Sequence, residues 1–100
     1  MIAQMEKGID LNGFVDMFKA LGHPIRLRII LELMESDKSV SELWHVLGVS
    51  QTLVSQHLAV LRHSGIIKSF RRGNTVYYSV LNPIVVEIFK LIQKQNLKEG

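Results

Sequence analysis

The sequence contains no cysteine among its 100 residues. That absence excludes disulfide bonds, thiolate metal ligands, thiol-based redox sensing and cysteine nucleophiles together. Long apolar runs are also missing, since runs such as 84–86 are far too short to cross a bilayer. No basic-then-apolar leader is present at the start of the sequence, so we expect a cytoplasmic protein with no membrane partner.

The chain has little excess charge and no pattern that is typical of an active site. Twelve basic residues against nine acidic ones give a formal net charge of +3, a mild bias towards nucleic acid. The carboxylates are scattered singly, with no nucleophile elbow, phosphate-binding loop or carboxylate pair. We therefore predict no catalysis and no cofactor. The length and the apolar content of 47% predict one packed domain over residues 1–100.

Apolar residues at helical spacing predict two helices in the first part of the chain. The first helix is expected over residues 9–21, with Gly22 as its stop, after a flexible arm over residues 1–8. Pro24 stands where a first-turn proline is tolerated, so a second helix begins there. The apolar stripe of the second helix is Leu27, Ile30, Leu31 and Met34.

Residues 40–64 carry the signals of a short helix, a tight turn and a longer helix. Ser39 and Glu42 form a capping box, in which the hydroxyl reaches the Glu42 N–H and the carboxylate reaches back. Gly48 can end the short helix, and Ser50 can cap the next one. The buried face of the longer helix is Val54, Leu58 and Leu61. A short helix joined to a longer one by a glycine turn is typical of a helix-turn-helix.

After Gly65 the apolar period changes from that of a helix to that of a strand. Two runs rich in β-branched and aromatic side chains occupy residues 66–80, and Gly73-Asn74 between them is typical of a hairpin turn. This hairpin is the wing, and a last helix over residues 83–96 follows it. The order helix-helix-helix-helix-strand-strand-helix predicts an α+β, mostly α, winged helix-turn-helix domain.

The helix that begins after Ser50 has no acidic side chain on the face opposite its apolar stripe. Such a face can enter the major groove of DNA, while the first-turn N–H groups suit a phosphate. Gln51 and Gln56 are the candidate base readers, because a glutamine amide can form two hydrogen bonds with adenine. Thr52 and Ser55 can bind either a base edge or a phosphate. The DNA-binding residues predicted on this recognition helix are Ser50, Gln51, Thr52, Ser55, Gln56 and His57.

Positive charge is concentrated in the predicted wing. Arginines near a hairpin tip suit the phosphate backbone or an adjacent minor groove, and they also protect an edge strand from aggregation. Because Tyr77 and Tyr78 alternate, one should pack inward while the other offers its hydroxyl to a phosphate, a role that we assign to Tyr78. The predicted wing and phosphate contacts are Arg62, Lys68, Arg71, Arg72, Asn74 and Tyr78.

These motifs resemble those of the ArsR/SmtB family of prokaryotic repressors over roughly residues 11–92. The most specific shared run is SQxxVSxHL, which begins here at Ser50. The resemblance implies a winged-helix homodimer whose first and last helices pair across a two-fold axis. It also implies binding of double-stranded DNA at an inverted-repeat operator and release by an inducer. The segments that carry the resemblance are 21–30, 40–43, 49–58, 61–62, 65–67, 72–73 and 77–79.

The apolar pattern itself also favours a dimer. The first helix contains Phe14 and Phe18, and the last helix is apolar over more than half its circumference, which is more than one small core can cover. A two-fold dimer would place two recognition helices about one DNA turn apart, which explains a palindromic operator. The predicted interface residues are Leu11, Phe14, Phe18, Ile84, Ile88, Phe89 and Ile92.

The metal sites that the resemblance implies are not found in this sequence. Members that detect metals use cysteines on the helix corresponding to 40–47 or Asp/His pairs on the last helix, and residues 82–94 contain neither Asp nor His. A zinc or nickel site on the last helix needs about four nitrogen or oxygen ligands across the dimer. We therefore predict no metal ligand, and the inducer that the resemblance implies would be a small molecule.

The four histidines share no i, i+3 or i+4 spacing, so they form no local metal pair. His23 can cap the helix that begins at Pro24, and His57 is expected to pack close to the DNA. Arg26 is predicted to pair with an acidic residue such as Glu42 on the neighbouring helix.

A sequence-specific DNA-binding repressor is the predicted function, and two alternatives stay open. A winged helix can act as a protein-interaction module, because a fold alone does not determine function, although an acidic or apolar recognition face would then be expected. The domain could also bind DNA architecturally, without sequence preference. Equal affinity for an operator and a scrambled duplex would favour the architectural alternative.

Overall fold

The computed structural model describes residues 5–6 and 8–99. The helices of this part of the chain are α1 (Leu11–Leu21), α2 (Pro24–Glu35), α3 (Val40–Leu47), α4 (Gln51–His63) and α5 (Pro83–Glu99). The strands are β1 (Met5–Glu6), β2 (Ile9–Asp10), β3 (Lys38–Ser39), β4 (Ile67–Arg72) and β5 (Thr75–Val80). The predicted order of four helices, a hairpin and a last helix is confirmed, and the fold is a winged helix-turn-helix. Among the described helices, none combines the length and the hydropathy of a membrane-spanning segment.

The first helix begins two residues later than predicted because Asp10 caps it. The Asp10 Oδ1 atom accepts the N–H of Gly13 at 3.1 Å, which satisfies one free donor of the first turn. Ile9–Asp10 pairs antiparallel with Met5–Glu6 instead. The arm predicted over residues 1–8 therefore contains a short strand, and its residues 1–4 and 7 lie outside the described part of the chain.

Local capping defines the helices of the helix-turn-helix. Both bonds of the predicted capping box are present, from Ser39 N to Glu42 Oε1 at 2.9 Å and from Glu42 N to Ser39 Oγ at 3.2 Å. Gly48 ends α3 with a φ of 70°, in the left-handed region where glycine has no Cβ penalty. The Ser50 Oγ atom accepts the N–H of Leu53 at 3.1 Å and so caps α4. The turn that sets the orientation of α4 is therefore stabilised by contacts between residues close in sequence.

A third strand connects the wing to the helix-turn-helix. The sheet order is β3-β5-β4 and its pairings are antiparallel, with Lys38 opposite Tyr78 and Phe70 opposite Tyr77. The sequence pattern does not predict β3, because two residues are too few to show the period of a strand. Since α3 begins directly after β3, this pairing places the wing beside the helix-turn-helix.

The core is formed mainly by the helices and by the start of β4. On α2 the buried residues are Ile29, Ile30 and Leu33, whereas Leu27 is 37% exposed. The predicted stripe of α2 is therefore wrong at Leu27, because α2 contacts α3, α4 and β5 and these enclose a face rotated towards Ile29. The core residues are Met17, Ala20, Leu21, Ile29, Ile30, Leu33, Leu43, Leu47, Val54, Leu58, Leu61, Ile66, Ile67, Val85 and Phe89.

The last helix places one apolar side in this core and leaves another exposed. Val85 and Phe89, four residues apart, are 0% and 2% exposed. The assignment of Phe89 to a dimer interface is therefore wrong, because its side chain fills the core of its own protomer. Ile84 and Ile92 are each 44% exposed on the remaining surface of α5.

Candidate nucleic-acid interface

One face of α4 is buried and the opposite face presents polar side chains to solvent. Val54, Leu58 and Leu61 lie in the core, as their spacing predicts. The exposed polar side chains of the first two turns are Gln51, Thr52, Ser55 and Gln56. Because α4 contains no Asp or Glu, this face carries no carboxylate that would repel a phosphate group.

The N-terminus of α4 is accessible at the same end of this face. Ser50 is exposed, and its hydroxyl is occupied by the capping bond to the Leu53 N–H. The positive end of the helix dipole lies there, and a first turn without acidic side chains leaves that charge available to an anion. A phosphate could therefore be bound by the backbone of the first turn.

His57 does not belong to the exposed face of α4. It is 9% exposed, and its ring centre lies 4.3 Å from that of His23 at the start of α2. The His57 Nδ1 atom lies 3.2 Å from an Arg26 guanidinium nitrogen. We therefore correct the predicted DNA-binding set by removing His57. The spacing contains a signal for this, because His57 follows Val54 by three residues and precedes Leu61 by four.

Arg26 does not pair with Glu42 as predicted. Its Nε atom donates to the Ala20 carbonyl at 2.5 Å, and a second nitrogen donates to the Lys19 carbonyl at 3.5 Å. These carbonyls belong to the last turn of α1, where helical acceptors lack partners within the helix. The Glu42 carboxylate instead accepts the Ser39 N–H in the capping box.

Burial and nearby positive charge shift the pKa of His57 in the same direction. Burial lowers the pKa of His57 below its ordinary value of 6.5, and the charges of His23 and Arg26 lower it further. The predicted capping role of His23 is confirmed, since its Nδ1 atom accepts the Ile25 N–H at 3.1 Å.

The wing presents an arginine that lies over two neighbouring aromatic rings. Phe70 and Tyr77 lie opposite each other on β4 and β5, with ring centres 6.1 Å apart. The Arg72 guanidinium carbon lies 5.4 Å from the centre of the first ring and 5.3 Å from that of the second. Arg72 is exposed, so its free donors are available to a phosphate or a groove edge.

The two tyrosines of β5 lie on opposite faces of the wing. Tyr78 packs against the core, whereas Tyr77 lies on the same face of the wing as Arg72. We therefore correct the assignment of Tyr78 as the tyrosine directed at DNA. The alternation of the strand shows that the two point to opposite faces, but it does not show which face the core covers.

The other predicted phosphate contacts lie on different parts of the surface. Lys68 shares the face of Arg72, and Arg71, opposite Val76, lies on the other face of the hairpin. The exposed members of this set are Arg62, Lys68, Arg71, Arg72 and Asn74. Of these, Arg62 lies in the last turn of α4.

The surface of α1 and α5 contains most of the apolar residues predicted for a dimer interface. Phe18 is 57% exposed, and Leu11, Phe14 and Ile88 are partly buried. Val15 and Leu91 are also exposed and extend the same two helices. The predicted interface set does not contain Leu91, although the apolar pattern of the last helix includes it.

Within residues 5–6 and 8–99, no three His, Asp or Glu side chains come together in a way that could hold a metal ion. A cleft of about 230 Å³ lies where α1, the end of α4 and the start of α5 meet. Its lining includes Asp10, Phe14, Met17, Ser64, Asn82 and Ile84.

Residues 23–69 match the model of the family described as bacterial regulatory protein, arsR family. An HTH-type transcriptional regulator of Mycobacterium tuberculosis is 39% identical over 80 residues, which is 79% of this chain and 70% of the relative. The transcriptional repressor PagR of Bacillus anthracis is 35% identical over 85 residues, or 84% of this chain and 85% of PagR.

A solved structure shares the architecture. The homodimeric winged helix-turn-helix DNA-binding domain Mb0332 from Mycobacterium bovis superimposes with a TM-score of 0.78 at 26% identity. The match covers 90% of this chain and 86% of that domain. Sequence and fold therefore agree on one family.

Proposed function

This chain belongs to the arsR family of bacterial regulatory proteins, and we propose that it is a repressor that binds an inverted-repeat operator as a homodimer. Its relatives are transcriptional regulators, so the chain is a regulator rather than an enzyme. The observation that carries the proposal is the carboxylate-free polar face of α4 beside a wing with exposed arginines.

The proposed role of each residue follows from what its side chain can bind. Gln51 and Gln56 read base edges in the major groove, and Thr52 and Ser55 contact either a base or a phosphate. The backbone at Ser50 binds a phosphate through the first turn of α4. The proposed wing and phosphate contacts are Arg62, Lys68, Arg71, Arg72 and Asn74.

The proposed dimer uses the apolar surface of α1 and α5. Phe18, Ile84 and Ile92 expose large apolar side chains that one protomer leaves uncovered. The homodimeric state of the similar Mycobacterium bovis domain supports this assignment. The single domain over 1–100 then divides into a helix-turn-helix, 40–64, a wing, 66–80, and two dimerisation helices, 9–21 and 83–96.

We propose that the signal is a small-molecule inducer that is not detected through a thiol, since the chain has no cysteine. The cleft between α1, α4 and α5 is the place assigned to it, because it adjoins both the dimerisation helices and the recognition helix. A ligand with different affinities for the free and DNA-bound arrangements would shift the repressor between them.

The test is selection of bound sequences from a random duplex library, followed by gel-shift titration of the selected site at several salt concentrations. We expect an inverted repeat whose affinity exceeds that of a scrambled duplex by on the order of a thousandfold or more. Equal affinity for the two duplexes would support an architectural binder instead. No shift on any duplex would support a protein-interaction module.

A further inference from the structure

Three side chains from two helices meet where α1, α2 and α4 come together. His23 and Arg26 come from the start of α2, and His57 comes from the middle of α4. The two imidazole ring centres are 4.3 Å apart, and Arg26 lies against His57. We call these three residues the hinge cluster. None of them is assigned to the DNA-contacting surface.

Arg26 is fixed to α1 by hydrogen bonds to the backbone. It donates through Nε to the Ala20 carbonyl at 2.5 Å and through a terminal nitrogen to the Lys19 carbonyl at 3.5 Å. A cation is favoured at this end of a helix because the partial negative charge of the dipole lies there. The guanidinium is therefore held in place by α1, a proposed dimerisation helix.

The contact from Arg26 to α4 requires a neutral His57. An arginine can only donate hydrogen bonds, so the His57 Nδ1 atom, 3.2 Å away, must be the acceptor. The ring proton then lies on Nε2. A proton on Nδ1 would replace this hydrogen bond by two facing donors that both belong to positive groups.

We propose that Arg26 is a positioning residue for DNA binding, which holds the recognition helix against α1 through His57, and that a proton on His57 Nδ1 releases this hold. Gln56, a proposed base reader, is the residue directly before His57. A change in the position of His57 therefore moves the reading face of α4. This inference rests on the proposed function and adds a proton as a condition under which DNA is released.

The groups that contact His57 directly offer no compensation for a positive charge on its ring. The facing groups from α2 are His23 and Arg26, both of which act against a charge on His57. From the sides of α1 and α4, Asp16, Lys19 and His63 line the groove that also contains Arg26. Among the described residues, no carboxylate forms an ion pair with either ring of the cluster.

The sign of the expected pH effect distinguishes the hinge cluster from ordinary electrostatics. Protonation of exposed histidines adds positive charge to the protein and so strengthens binding to DNA phosphates in acid. Release of α4 weakens binding in acid. Because the pKa of His57 is lowered from 6.5, the weakening begins below pH 6.5.

The experiment measures the affinity for the selected operator at pH 7.5 and pH 5.5 for the full chain and three variants. His57→Gln keeps an acceptor for Arg26 but cannot titrate. Arg26→Lys keeps the charge but cannot bridge α1 and α4. His45→Gln is the matched control, because His45 is exposed and stacks on Trp44 away from the cluster. Circular dichroism at both pH values confirms that each variant is folded.

We expect the parent chain to lose roughly five- to a hundredfold in affinity between pH 7.5 and pH 5.5, the usual range of coupling between two sites. The control should show the same loss. His57→Gln should show a loss of less than about twofold relative to its own value at pH 7.5. Arg26→Lys should bind the operator more weakly at pH 7.5 and should lose less affinity between pH 7.5 and pH 5.5.

An equal acid loss in His57→Gln and the parent chain would overturn the inference, and so would unchanged behaviour of Arg26→Lys. If no duplex is bound selectively at pH 7.5, the proposed function fails. Nitrogen NMR of the imidazoles then tests separately whether His57 Nδ1 accepts a hydrogen bond from Arg26. The His57 Nδ1 signal should be that of an unprotonated acceptor at pH 7.5 and should titrate below pH 6.5. A protonated Nδ1 at pH 7.5 would overturn the inference.

Discussion

The Arg72 guanidinium carbon lies 5.3 Å from the centre of the Tyr77 ring, on the outer face of the wing. The Phe70 ring, which is opposite Tyr77 in the sheet, lies 5.4 Å from the same carbon. Each contact of this kind contributes about 0.5–1 kcal/mol at an exposed site. The orientation of Arg72 is therefore restricted before any DNA is bound, which lowers the entropy lost on binding.

Removing the Tyr77 ring should weaken DNA binding without removing a charge. We expect Tyr77→Ala to lower operator affinity by roughly two- to fivefold, the equivalent of one cation–π contact. Tyr77→Phe keeps the ring and is the matched control, with affinity within about twofold of the parent chain. Fluorescence anisotropy at constant salt measures both. An equal loss in the two variants would show that the hydroxyl, rather than the ring, is what matters.

Gln56→Ala should change sequence preference more than overall affinity. Loss of a bidentate amide–base pair is expected to relax selection at one position of each half-site, with discrimination reduced by about 1–3 kcal/mol. Competition binding against duplexes substituted at each position measures this. Arg72→Ala is the contrasting variant, since loss of a phosphate contact should weaken all duplexes similarly and reduce the salt slope by about one. Identical effects of the two variants would contradict this division of roles.

The parts of the recognition helix that could be predicted from the sequence depend on neighbours in the chain. The Ser39–Glu42 capping box, the Gly48 turn and the Ser50 cap are all local contacts, and each is present in the structure. The apolar spacing of Val54 and Leu61 likewise shows which side of α4 is buried. Short-range interactions therefore explain why the site is formed where the sequence predicts it.

The errors arise where the partner of a side chain is distant in sequence. Arg26 bonds to α1 carbonyls and to His57, thirty-one positions further along the chain, and no pattern within α2 indicates this. The sequence does not distinguish Phe89 from Ile92 as interface residues, because α5 is apolar on several sides. Only the packing of α5 on the rest of the domain separates the buried Phe89 from the exposed Ile92.

A charge at position 18 should dissociate the proposed dimer. Phe18→Glu replaces an exposed aromatic ring on α1 with a carboxylate that an apolar interface would bury at a large cost. We expect sedimentation equilibrium to change from a dimer to a monomer, with loss of operator binding. Val46→Glu is the control, because Val46 is 50% exposed on α3, outside the proposed interface. A Phe18→Glu protein that remains dimeric would show that α1 is not part of the interface.

Stability should decrease in mild acid because of His57. Burial and the charges of His23 and Arg26 lower its pKa in the folded chain below 6.5, so the unfolded chain binds a proton more readily. Its contribution to the free energy of unfolding is fully present above pH 6.5 and decreases as the pH falls towards the folded pKa. Urea unfolding between pH 7.5 and pH 5.5 measures this change. His57→Gln should reduce the pH dependence, and His45→Gln should leave it as it is in the parent chain.

Zinc should leave the affinity for DNA unchanged within roughly a factor of two, well below the usual effect of an allosteric ligand. The chain has no cysteine, and the adjacent rings of His23 and His57 are a poor substitute for a metal site. Their Nδ1 atoms are occupied by the Ile25 N–H and by Arg26, and the guanidinium charge repels a cation. Gel shifts with zinc and with a chelator measure the effect. A larger change that disappears in His57→Gln would mean that the cation displaces Arg26 and binds this pair.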